Sequence, residues 1–201
     1  MNHRRRFALG ALAALALAGC QKAGPDRLAF KGVDLTGAEY ARQLNLTDQD
    51  GRARSLADFK GKVLVVFFGY TQCPDVCPTT MAEVAEVKRS LGADGDKVQG
   101  IFVTVDPARD TGALLKAYLA SFDPGFVGLR GSEEQTQAAA KEFKVFYAKV
   151  PGKTPDTYTM DHTAASFIFD TEGRVRVYAR YGAGAQPLAD DIKLLLAEQK
   201  P

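Results

Sequence analysis

Three side chains in the 201-residue sequence have the types and spacing to do chemistry together. Cys73 and Cys77 sit in Gly69-Tyr-Thr-Gln-Cys-Pro-Asp-Val-Cys-Pro78, directly after a run of apolar residues. His162 lies far along the chain in Tyr158-Thr-Met-Asp-His-Thr163. If Cys73 and Cys77 follow helical geometry, their Cα atoms lie roughly 6 Å apart, within the range that a disulfide bridges. The same spacing lets two thiolates hold a soft metal. A helix beginning near Pro78 would put Cys77 at its N-terminus, where the helix dipole favours the thiolate. A bridge serving stability alone fits less well, because a loop of three residues removes little unfolded-state entropy.

The elements around these residues read as an α/β domain. Lys62 to Phe68 is a continuous apolar run between Gly61 and Gly69, the pattern of a strand buried on both faces, and Val98 to Val105 is a second. Between them the sequence predicts a helix from about Pro78, with Thr80 and Glu83 spaced as a capping box and Met81, Val84, Ala85 and Leu91 on its buried side. Leu114, Leu115, Tyr118, Leu119 and Phe122 recur at helical spacing, Phe126 to Leu129 reads as a short strand, and Ser132 with Gln135 caps a helix ending near Phe143. Two strands, Thr163 to Phe169 and Arg174 to Arg180, flank the turn Asp170-Thr-Glu-Gly173, and a helix around Leu188, Ile192 and Leu195 closes the chain. Leu44 and Leu46 precede Asp48-Gln-Asp-Gly51, the signature of an N-terminal hairpin. Strands alternating with helices imply a mixed, mostly parallel central sheet flanked by helices, compatible with a thioredoxin-like fold.

The N-terminus reads as targeting. Arg4, Arg5 and Arg6 precede an Ala/Leu run, Phe7 to Ala18, and Leu17-Ala-Gly-Cys20 closes it. That run would span roughly 18–20 Å as a helix against about 30 Å of bilayer hydrocarbon, so a secretory signal fits better than a permanent span. The ending resembles the bacterial lipobox, in which the cysteine is acylated and becomes the mature N-terminus. The expected organisation is a signal peptide over 1–19, a lipidated tether and approach over 20–43, and one domain over 44–201. Export places that domain outside the cytoplasm, in the periplasm, held to a bacterial lipid membrane through Cys20. Cleavage removes three arginines and no acid from the formal net charge of +2, leaving −1. Such a chain has no basic patch for nucleic acid and no long-range steering field. It also leaves His162 as its one histidine, and Cys73 and Cys77 as its thiols if Cys20 is acylated.

Cys-Pro-x-Val-Cys-Pro after Gly-Tyr-Thr, Val-Asp-Pro-x-Arg-Asp-Thr at Val105 to Thr111, and Asp-His-Thr at Asp161 to Thr163 resemble the Sco/SenC family in matching order from about Leu44 to Ala197. The resemblance implies a thioredoxin-like fold and copper bound by Cys73, Cys77 and His162. It also implies a role in assembling the binuclear copper centre of cytochrome c oxidase. Its partners would be the copper-receiving oxidase subunit and a copper donor or thiol reductant. Coordination chemistry agrees: thiolates suit Cu(I) and imidazole suits either copper state. Structural zinc wants four ligands, and the processed chain has no further Cys or His. Met81 and Met160 read as packing residues.

Asp110 reads as the cap of the following helix. Asp106, Asp110 and Asp161 are also candidates for carboxylates beside the copper loop that orient His162 or meet a partner. The competing function is a thiol–disulfide oxidoreductase in which Cys73 and Cys77 are the redox-active pair, keeping the client's cysteines reduced. Three residues rather than two separate the cysteines, and no proline lies between Pro155 and Pro187 to oppose them. Both facts favour the copper reading.

Overall fold

The computed structural model describes residues 28–154 and 157–198. Ten strands and four helices follow in the order β1 (Val33–Asp34), β2 (Leu46–Asp48), β3 (Ala53–Arg54), β4 (Val63–Gly69), α1 (Val76–Ser90), β5 (Val98–Thr104), α2 (Gly112–Ala120), β6 (Val127–Arg130), α3 (Glu133–Glu142), β7 (Tyr147–Pro151), β8 (Tyr158–His162), β9 (Ala165–Phe169), β10 (Val175–Arg180) and α4 (Ala185–Ala197). Eight strands form one sheet in the order β1-β10-β9-β4-β5-β6-β2-β3, while β7 and β8 pair only with each other. β4, β5 and β6 run parallel at the centre, with Val63 opposite Val98 and Gly69 opposite Thr104. The pairings outside this centre are antiparallel, including the expected β2–β3 and β9–β10 hairpins. Mixed pairing with helices on both faces is the architecture expected of a thioredoxin-like domain.

Every residue of β4 and β5 is buried, as two-sided apolar runs demand. Alternation then sends neighbours to opposite faces. Phe68 packs on Phe143, which also meets Phe167 and Phe169, with ring centroids 5.0 to 5.9 Å apart. Phe67 points the other way, towards Phe102 at 6.1 Å, and Phe102 leads to Tyr118 of α2 at 5.5 Å. Full burial of each such ring contributes roughly 1.5–3 kcal/mol, so the carboxyl end of this seven-residue strand is fixed on both faces of the sheet.

Two boundaries differ from the sequence reading. α1 starts at Val76, after Asp75, and Pro78 occupies its first turn, where a missing N–H costs nothing. Thr80 therefore makes no capping box; its hydroxyl donates to the Val76 carbonyl at 2.8 Å. Residues 28–43, read as the approach to the domain, pack onto it. The Lys31 and Gly32 amides donate to buried Asp191 of α4 at 2.6 and 2.9 Å, β1 pairs with β10, and Ala41 is 1% exposed. Arg176 closes this edge, donating to Thr36 at 3.1 Å, Asp170 at 3.2 Å and Glu198 at 2.5 Å. Cys20 and the signal region lie outside the described residues, and no helix among the described residues is long and apolar enough to cross a membrane.

Candidate metal centre

The cysteine loop begins where β4 ends. The Gly69 carbonyl accepts from the Val105 amide at 2.8 Å, which joins the carboxyl ends of β4 and β5. The chain then turns through Tyr70 to Cys73 and enters α1, placing both thiols beyond the strand ends, where ligands collect in open α/β sheets. Gly69 is required by close approach: a Cβ there would lie 2.8 Å from Cys77 Sγ and 2.8 Å from the Phe67 ring. Cys77 is fully buried and Cys73 half-buried, and both are free thiols. The Cys77 amide donates to Cys73 Sγ at 3.4 Å, so the first turn of α1 holds the outer sulfur.

His162 arrives from the other side of the site, at the last position of β8. β8 pairs with β7 in a hairpin that the sequence pattern does not announce. Its burial alternates, with Tyr158, Met160 and His162 turned inward and Thr159 and Asp161 exposed. Inward-facing His162 sets its ring edge-on to Phe67 and Tyr70, with centroids 5.7 and 6.0 Å away. Nε2 then lies 3.3 Å from Cys77 Sγ. Nδ1 is 3.2 Å from the Thr163 carbonyl, an acceptor that fixes the proton on Nδ1 and leaves the Nε2 lone pair for Cys77 S–H or a metal. One donor atom from each of Cys73, Cys77 and His162 lies within 4.8 Å of the other two.

Electrostatics here run against the helix-dipole argument. Burial pushes the Cys77 thiol well above its usual range, and the neighbouring Cys73 and Asp110 push in the same direction, against a hydrogen bond from the Tyr70 amide. Desolvation outweighs the dipole because Cys77 has no contact with water, and a charged sulfur there needs a partner of opposite sign. Burial likewise lowers the His162 pKa, against the Thr163 carbonyl and Asp161, so the imidazole is neutral at pH 7. The resting state is thus a protonated Cys77 beside an unprotonated nitrogen. A monovalent soft cation would supply the missing charge, displace the thiol proton and take the Nε2 lone pair. The donor set and its burial suit such an ion.

The carboxylates divide. Asp110 is not the cap of α2; Thr111 is, accepting from the Leu114 amide. Asp110 is fully buried and accepts from the Thr71 and Thr104 hydroxyls, each at 2.6 Å, and from the Thr71 amide at 3.1 Å. It ties the start of the cysteine loop to the end of β5. Asp106 accepts from the Tyr158 hydroxyl at 2.9 Å and from Arg109 Nε. Asp161 is exposed and acts on His162 only through its charge. Of the groups around the ring, it is the Thr163 carbonyl that meets Nδ1. Tyr70, Tyr158 and Arg109 were missed as site residues. Tyr158 could have been found from the two-residue alternation Tyr158, Met160, His162; Arg109 lies within the Val105 to Thr111 motif, but nothing along the chain pairs it with Tyr158, 49 residues away.

A family model described as SCO1/SenC matches residues 34–197. A SCO2-like protein of Rickettsia felis is 38% identical over 130 residues, 64% of this chain and 63% of that protein, so the chain spans a little under two thirds of that curated relative. Among solved structures, Bradyrhizobium japonicum ScoI with copper bound is 44% identical, with a TM-score of 0.71 over 78% of this chain and 99% of that one. Apo Sco1 from Thermus thermophilus is 35% identical, with a TM-score of 0.73 over 87% and 99% of the two chains.

Proposed function

Since the chain belongs to the SCO1/SenC family, we propose that it binds copper through Cys73, Cys77 and His162 and delivers it to the copper-receiving subunit of cytochrome c oxidase. The observation that carries this reading is the convergence of two sulfurs and one imidazole nitrogen within 4.8 Å, drawn from two distant segments of the chain. A relative of 44% identity has been solved with copper bound, and the family is described as one of cytochrome c oxidase assembly proteins. Copper is the cargo. Cys73 and Cys77 would hold Cu(I) as thiolates, His162 Nε2 would complete a three-donor set, and the half-exposed Cys73 marks the side from which a recipient's ligands reach the ion. Delivery is tested by mixing the copper-loaded protein with the apo copper-binding domain of the oxidase subunit under reducing conditions. Copper should move to the recipient, followed by its thiolate–copper absorption, with free copper held negligible by a chelator. Retention of all copper by the donor at excess recipient would refute delivery.

A second use of the same pair has one observation in its favour: Cys73 is the accessible sulfur and accepts a hydrogen bond from the α1 amide of Cys77. As a reductant of the client, Cys73 thiolate would attack the client disulfide and release one client thiolate. Cys77 would then lose its proton and attack Cys73, releasing the second client thiol and leaving the Cys73–Cys77 disulfide. The raised Cys77 pKa makes that second step slow.

We also propose that the N-terminal segment anchors the domain to the periplasmic side of a bacterial membrane through acylated Cys20. The support is the sequence alone. Cys20→Ala should abolish processing and release the protein from the membrane fraction; unchanged processing and attachment would refute the anchor.

A further inference from the structure

Among the described residues, the strand that carries His162 has no backbone ladder to the sheet that carries the cysteines, because β8 pairs there with β7 alone. Something else must hold the imidazole against Cys77. Arg109, in the turn between β5 and α2, touches every segment involved. Its Nη1 donates to the Tyr158 carbonyl of β8 at 2.9 Å and to Gln72 Oε1 of the cysteine loop at 3.0 Å. Its Nε donates to Asp106, whose other oxygen accepts from the Tyr158 hydroxyl at 2.9 Å. The guanidinium lies over the Tyr158 ring at 3.5 Å and 5.7 Å from the Tyr70 ring. Tyr158 is therefore gripped at its ring, its carbonyl and its hydroxyl. Tyr70 in turn receives the Met160 amide on its hydroxyl and stands edge-on to His162. The same arrangement leaves Arg109 Nη2 buried without an acceptor, an unfavourable feature in a residue kept for packing alone.

We propose that Arg109 is a positioning residue that clasps β8 to the cysteine loop and so sets how strongly His162 contributes to the metal. This rests on the copper reading, and it assigns Arg109 no contact with the ion. A planar fork that stacks on one aromatic ring while bonding two carbonyl-type oxygens is a task lysine cannot perform, so the clasp requires arginine specifically.

The test uses the full-length protein in detergent. Cu(II) affinity is measured by chelator competition for Arg109→Gln and Arg109→Lys, each in the wild-type and His162→Ala backgrounds. Orienting partners of metal ligands typically contribute about 10–100-fold in affinity, and that loss is expected for both substitutions in the wild-type background. In the His162→Ala background the further loss should be under about twofold, because the clasp acts through the imidazole. Equal losses in both backgrounds, no loss in either, or full restoration by lysine would overturn the proposal. An apo readout separates it from the copper reading. The His162 ring-proton resonance, displaced by the Phe67 and Tyr70 rings, should move towards that of free imidazole in both Arg109 variants. A resonance that stays in place would overturn the clasp even if no form of the protein bound copper. If Arg109→Gln does not fold, Arg109→Lys carries both measurements.

Discussion

Replacing Cys77 by serine should reduce copper bound by the dithiol protein from about one ion per chain to nearly none, without unfolding the domain. Serine has the shape to occupy a fully buried site, and its hydroxyl can donate to His162 Nε2 across the 3.3 Å now spanned by the thiol. The expected stability loss is within the ordinary range for a point substitution, about 0.5–3 kcal/mol, and a thermal melt checks it. The metal loss is far larger because an alkoxide is inaccessible at neutral pH and a hydroxyl is a poor donor to Cu(I), leaving one thiolate and one imidazole. Cys73→Ser should have the same effect on copper with a smaller effect on stability, since Cys73 is half-buried at the edge of the core whereas Cys77 lies inside it. Undiminished copper in folded Cys77→Ser protein would exclude Cys77 as a ligand.

His162→Ala separates the two copper states. Two thiolates can still hold Cu(I) in a near-linear arrangement, so Cu(I) binding should largely persist. Cu(II) prefers more donors and nitrogen among them, so its affinity should fall by more than the roughly 10–100-fold that the loss of an orienting partner costs. The pH dependence of copper binding follows from the same geometry. Cys77 starts protonated, so binding releases a proton and affinity rises with pH through the neutral range. His162, with its pKa held below the ordinary 6.5, competes for protons only on the acid side of that value. The His162→Ala variant should therefore lose the acid-side part of the pH profile and keep the thiol part. Competition titrations at several pH values read both; equal losses for Cu(I) and Cu(II) would count against His162 as a ligand.

What could be read along the chain was what local pattern encodes. The apolar-rich runs that became β4 and β5, the Ser132–Gln135 capping box of α3 and the Asp170–Gly173 turn each state their structure within ten residues. Cys73, Cys77 and His162 could be picked out by residue type, but their meeting could not, because it depends on a hairpin whose strands bury few residues. In β7 and β8 Met160 alone is buried, so the alternation that makes a strand visible was faint. The charge state of Cys77 was misjudged for a similar reason. Its place at a helix N-terminus is visible in sequence, whereas its burial under Gly69 and Phe67 arises from strands packed in three dimensions. Asp110 shows the same limit: the motif suggested a helix cap, and the fold uses it to join Thr71 to Thr104 across 33 residues of chain. The segment over 28–43 carried no strong pattern of its own because much of its anchorage is supplied by Asp191, some 160 residues away.

The most direct test of the account is copper stoichiometry of the purified protein in two redox states. Both sulfurs cannot be thiolate ligands and a disulfide at once. The fully reduced protein should bind about one copper, with X-ray absorption showing sulfur and nitrogen scatterers, and the same protein oxidised to the Cys73–Cys77 disulfide should bind none. Equal copper binding by reduced and oxidised protein, or none by folded reduced protein, would contradict a site built from Cys73, Cys77 and His162.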